Sequence, residues 1–102
     1  MIVQLINEAE KDIRNGLDLY SEIDPDHAPE FPLAIARDLL KLEKLLFPHP
    51  KKFGLHCAFS KKYPFNIYYR FDGQTIRVIG ILDQRSSPKK HARLLKRRTK
   101  SH

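Results

Sequence analysis

Apolar residues are spaced as in helices through the first half of the chain and alternate as in strands through the second. A short β-rich run, Ile2–Ile6, gives way at Asn7, whose side chain is placed to cap a helix with Glu10 as its acidic partner. Ala9, Ile13, Leu17 and Tyr20 then recur at helical spacing, leaving Glu10, Lys11, Arg14 and Asp18 for water. A second helix is predicted after Asp26, with Pro29 and Pro32 in its first turn, where a missing N–H is harmless. Pro48 and Pro50 end it near Phe47, and its seam is Phe31, Ile35, Leu39, Leu42 and Leu46.

Three strands follow. Leu55, Cys57 and Phe59 alternate with His56 and Ala58; Phe65, Ile67, Tyr69 and Phe71 alternate with Asn66, Tyr68 and Arg70. The third run is apolar almost without a break from Val78 to Leu82, which marks a central strand contacted on both faces. Asp72-Gly73 is a hairpin signal, and a two-residue loop there pairs Phe71 with Gln74, Tyr69 with Ile76 and Ile67 with Val78. Face matching then asks for a three-residue turn, Lys61-Lys62-Tyr63, which pairs Phe59 with Phe65, Cys57 with Ile67 and Leu55 with Tyr69. The predicted fold is α+β in the order β-α-α-β-β-β: one domain over residues 1–102, an antiparallel-rich four-stranded sheet with the helix pair on one face, and a basic tail over 88–102.

That register sets His56 opposite Tyr68 and Tyr68 opposite Arg77 on the open face, with Arg70 opposite Thr75, one step from Arg77. Lys51 and Lys52 lead into the first of these strands. A cationic face holding a phenol and an imidazole can bind phosphates, stack a base and move protons near neutral pH. Metal-free RNA cleavage by a 2′-hydroxyl needs a proton acceptor, a proton donor and a cation on the phosphorane. His56, Tyr68, Arg70 and Arg77 are the residues on this face that can fill those roles. An ordinary antiparallel sheet also solvates one face with Arg, Tyr and His.

Charge adds a direction to this picture. The chain has 102 residues, 19 Lys+Arg and 12 Asp+Glu; the first 50 residues carry five basic and ten acidic groups, the remainder fourteen and two. Seven of those fourteen are Lys89, Lys90, Arg93, Lys96, Arg97, Arg98 and Lys100, so the excess is largely C-terminal, the footprint of a polyanion or an acidic partner. Candidate target-binding cations are Lys51, Lys52, Lys61, Lys62, Arg85, Lys89, Lys90, Arg93 and Arg97. The lone Cys57 can form neither an internal disulfide nor a CxxC pair, and His27, His49, His91 and His102 lack metal-ligand spacing and read as loop histidines; no metal or cofactor is expected. No apolar run approaches the roughly 18 residues of a spanning helix, and the first residues lack a basic secretory n-region, so a cytosolic protein with no membrane partner is expected.

The run Tyr63-Pro64-Phe65-Asn66-Ile67-Tyr68-Tyr69-Arg70-Phe71-Asp72-Gly73, the segment Thr75–Arg85 and Pro88 resemble the hairpin and closing segment of the RelE/ParE toxin superfamily, and Glu8–Ile13 is similar too. The resemblance implies a small bacterial toxin neutralised by a cognate antitoxin, whose site is expected in the groove between the helix pair and the sheet edge and on the basic face. It also implies two targets. The RelE-like branch cleaves mRNA on the ribosome, with Arg70, Arg77, Tyr68 and His56 as the matching residues; the ParE-like branch poisons DNA gyrase without a nuclease site. Position 83 is Asp where a nuclease often has His or Tyr, no Tyr follows Tyr69, and Gln84–Pro88 looks more like the ParE or plasmid-stabilisation side, which is therefore put first. A non-toxic nucleic-acid-binding domain working through residues 89–100 is the third reading.

Overall fold

The computed structural model describes residues 1–102. β1 (Ile2–Leu5) passes directly into α1 (Asn7–Ile23). Ile6 N–H still bonds Val78 O at 3.2 Å, while Ile6 O already accepts from Ala9 and Glu10. Asn7 is thus the first helical residue, and the cap at Ile6 has no side-chain bond. α2 spans Glu30–Leu42, shorter than predicted. Beyond Leu42 the hydrogen bonds contract to the i→i+3 type at Glu43, Lys44 and Leu45, and Leu46 and Phe47 are 88% and 81% exposed. Leu46 therefore drops out of the predicted seam.

The sheet has five strands, not four: β2 (Lys51–Lys52), β3 (Leu55–Phe59), β4 (Phe65–Phe71) and β5 (Thr75–Asp83) join β1 in the order β1-β5-β4-β3-β2. It is mixed, with β1 parallel to β5 and every other pair antiparallel. β2 was missed because two residues cannot display a period.

Both hairpin registers differ from the predicted ones. At β4–β5 the central turn residues are Gly73 and Gln74, because Asp72 Oδ1 accepts from the N–H groups of Gln74 and Thr75 at 2.9 and 2.7 Å and Gly73 supplies the one positive φ, the type II′ pattern. Pairing moves by two residues, so Tyr69 faces Val78, Arg70 faces Arg77 and Phe71 faces Ile76; the even shift keeps the apolar residues together. A bulge then leaves Ile79 unmatched and sets Tyr68 opposite Gly80. At β3–β4 Ser60 N–H bonds Phe65 O, so the loop holds four residues and the register moves by one: His56 faces Tyr69 and Cys57 faces Tyr68. An odd shift exchanges the faces of a whole strand.

α1 and α2 cover the face carrying Phe65, Ile67 and Tyr69. Tyr20, Phe31, Tyr63 and Phe65 cluster there with ring centroids 4.9–6.4 Å apart. Gly16 makes this possible, since a Cβ at that position would lie 2.4 Å from the Phe31 ring. The other face is also covered. Residues 88–102, predicted as a basic tail, fold into α3 (Pro88–Ser101), with Ser87 Oγ capping Lys90 N–H and Pro88 in the first turn. Leu95, 1% exposed, seats over Gly80, where an added Cβ would come within 3.0 Å of it. The fold is α+β, as predicted, in three layers.

Candidate functional site

β1 ends at Leu5, which leaves the edge of β5 without a strand beside Ile79–Ile81. Two side chains complete it. Asp12 Oδ2 accepts from Ile81 N–H at 2.9 Å, and Arg98 Nη1 donates to Ile79 O at 3.1 Å. The guanidinium meets the Asp12 carboxylate in a two-pronged bond of 2.6 and 2.9 Å, with the side chains 12% and 8% exposed. This pair ties α1 to α3 across the sheet edge, and no buried side-chain polar atom anywhere lacks a partner.

Above the pair lies a groove of about 640 Å³ between α1 and α3. Glu8, Lys11 and Leu19 line one wall, Lys90, Leu94 and Arg97 the other, and Ile81 and Leu82 reach its floor. Bonds from its own backbone N–H, then from His102, hold the Glu8 carboxyl below the usual carboxylate range. Arg98 is the only α3 cation in an ion pair with a carboxylate; Lys89, Lys90, Arg93, Lys96, Arg97 and Lys100 are exposed, and α3 carries no acid.

The four residues predicted to act in catalysis are distributed over three places. Arg70 and Arg77 are direct cross-strand partners, both exposed, and with Gln4, Asp72 and Thr75 they line a shallow depression of about 250 Å³. Arg70 also donates to the terminal carbonyls of α3, Thr99 O at 3.3 Å and His102 O. Tyr68, predicted on an open face, is fully buried under α3. His56, predicted opposite Tyr68, lies on the other face beside Tyr69, and its Nδ1 donates to His49 O at 2.6 Å. Lys51, Lys52, Lys61 and Lys62 are exposed at the β2–β3 end of the sheet, with Lys62 paired to Glu30 at 3.2 Å. Arg85 makes a two-pronged pair with Asp83, which holds that carboxyl below its ordinary value.

His91, read from sequence as a loop histidine, is a buried residue of α3. Asp83 O lies 2.8 Å from its Nε2 and can only accept, so Nε2 carries the hydrogen and Nδ1 accepts from the Tyr68 hydroxyl at 2.9 Å. Asn66 Nδ2 donates to the same hydroxyl, and Gln84 donates to Asn66 Oδ1. Burial raises the Tyr68 phenol above its ordinary pKa. The chain of bonds is saturated and sealed, an arrangement that fixes α3 and offers no free acid or base to a substrate. Its sequence signal was the cap Ser87-Pro88 followed by His91, Leu95 and Arg98 at helical spacing, hidden among the basic residues. A second cluster joins His49 and Tyr69: the hydroxyl accepts from His49 N–H at 2.9 Å and donates to Nδ1 at 2.7 Å. Burial, and secondarily His56, lowers the His49 pKa. No three His, Cys, Asp or Glu are grouped to hold a metal ion, and no helix is long and apolar enough to cross a membrane.

No protein-family model matches the chain, and no curated protein does. Its fold is that of a solved chain from the chromosomal ParDE TA system of P. aeruginosa: the TM-score is 0.71 and the identity 19%, over 79% of this chain and 92% of that one.

Proposed function

We propose that this chain is the toxin of a type II toxin–antitoxin module, held by a cognate antitoxin and acting in the ParE-like manner on DNA gyrase. The observation that carries the reading is the shared fold with a chain of a ParDE toxin–antitoxin system, which extends over nearly all of that chain. The groove between α1 and α3 supplies a place for the antitoxin. An extended or helical segment with apolar and acidic residues gains burial against Leu19 and Leu94 and charge pairing with Lys90 and Arg97.

The placement of the polar groups supports the gyrase branch over the nuclease branch. Arg70 and Arg77 are exposed together as a nuclease would need, yet Tyr68 is sealed beneath α3 and His56 lies on the opposite face. A phosphate held between the two arginines therefore meets neither proton carrier.

Co-expression with the product of the small reading frame adjacent to its gene tests the module. The expected result is a co-purifying complex, and growth arrest on expression of this chain alone. Leu19→Asp is expected to weaken the complex at least tenfold while leaving the fold intact. Arrest with loss of plasmid supercoiling and continuing translation identifies the gyrase branch; absence of both complex and arrest would remove the proposal.

A further inference from the structure

All but two of the acidic residues lie in the first 43 positions; none occurs between Glu43 and Asp72, or after Asp83. The fold brings these two acid-free stretches together at the β2–β3 end of the sheet, beside the start of α3. A cavity of about 280 Å³ opens there, lined by Lys52, Phe59, Asn66, Gln84 and the first turn of α3. Phe59 stands 69% exposed at its rim.

A second ring stands beside it. The turn between β2 and β3 has positive φ at both central residues, Phe53 at 56° and Gly54 at 79°, the pattern of a type I′ hairpin. Asn, Asp or Gly relieve strain at the first of these positions, and phenylalanine does not. What the strained conformation gains is the placement of the ring: Phe53 lies 6.2 Å from the Tyr68 ring, on the α3 side of the sheet, and 5.5 Å from the Lys52 ammonium, while remaining 39% exposed. Phe59 pairs with Asn66, whose amide bonds the Tyr68 hydroxyl, so both exposed rings flank Tyr68 on one face.

Exposed aromatic rings beside a lysine, at a polar cavity with no carboxylate among its lining residues, are what an unpaired nucleic-acid strand requires. Bases stack on rings without regard to sequence, and ammonium groups take the place of the counterions on the phosphates. We propose that this edge binds single-stranded nucleic acid, with a base stacked on Phe59, a neighbouring base near Phe53, and a phosphate on Lys52, whose pairing with Leu55 puts it on the same face. Gln84, exposed at the cavity, offers its amide oxygen to a base edge, while Asn66 is committed to Tyr68 and Gln84. Apart from Ser86 and His91, which line both cavities, the site shares no residue with the α1–α3 groove, it does not include Arg70 or Arg77, and it stands or falls without the toxin reading.

Fluorescence anisotropy with a labelled ten-nucleotide oligouridylate, at 50 and 200 mM salt, tests it. Phe59→Ala is expected to weaken binding about tenfold with an unchanged salt slope, and Phe59→Trp to restore it. Lys52→Gln is expected to reduce the log–log salt slope by about 0.7, the contribution of one phosphate contact on a single strand, and Lys51→Gln, on the opposite face, to leave it unchanged. Lys96→Gln with Lys100→Gln, toward the far end of α3, is expected to change affinity less than twofold. Thermal melts confirm that each variant is folded. Three results would overturn the proposal: no binding by the intact chain, equal binding by the folded Phe59→Ala variant, or displacement by polyglutamate as effective as by unlabelled oligouridylate, which would mark an acidic-peptide surface instead.

Discussion

Under α1 and α2 the sheet is closed by rings and aliphatic side chains; under α3 it is closed largely by hydrogen bonds and charge. Tyr20, Phe31, Tyr63 and Phe65 fill the first face, whereas the second relies on Leu95, the Tyr68–His91 bond, the Asp12–Arg98 pair and the Arg70 contacts to terminal carbonyls. Apolar burial is non-directional and survives small displacements, while polar closure needs every partner in place. α3 is accordingly the element of this fold that a single substitution should detach.

The largest expected effect is on the apolar side. Phe31→Ala should cost about 3–5 kcal/mol and lower the global unfolding midpoint in urea, with all elements lost together. Arg98→Ala should cost about 3 kcal/mol, because Asp12 stays buried without its cation and Ile79 O loses a donor. Here the loss should be local: hydrogen exchange should show residues 88–101 deprotected while β4 and β5 remain protected. If both variants melt the molecule uniformly, the contrast between the faces fails. Tyr68→Phe, which strips the donor from His91 Nδ1 and the acceptor from Asn66, should cost about 1–2 kcal/mol, again first in α3.

The smallest effect sharpens the comparison, since it concerns a titrating group on the face that α1 and α2 close. Burial lowers the His49 pKa, so the folded chain resists a proton that the unfolded chain accepts near the ordinary value of about 6.5. The stability involved is complete above that value and is lost as pH falls below it. Melting temperature should therefore drop between pH 7 and pH 5, and His49→Gln should flatten that part of the profile.

The legibility of these features follows their range. The types of α1, α2, β3, β4 and β5 can be read from the chain, because Ala9-Ile13-Leu17-Tyr20 and Phe65-Ile67-Tyr69-Phe71 each record a period in a dozen residues or fewer. Arg70 and Arg77 on one side of the hairpin were also readable, since an even error in register leaves faces unchanged. The face of His56 was not. It depends on whether the Lys61–Pro64 loop has three residues or four, and both patterns bury apolar side chains. α3 was obscured for a different reason: six exposed cations surround one buried leucine, and the groups that hold the helix down, Asp12 and Tyr68, lie 86 and 23 residues from their partners.

By itself the sequence determined the α+β order, the apolar underside of the hairpin and the segregation of charge between the two halves, all of which are local properties of spacing and composition. Only the tertiary structure decided that the basic segment is a packed helix, that Tyr68 is sealed rather than presented, and that a carboxylate from α1 and a guanidinium from α3 complete the edge of β5. Those outcomes rest on hydrogen bonds between groups far apart along the chain, and no periodicity records a partner that distant.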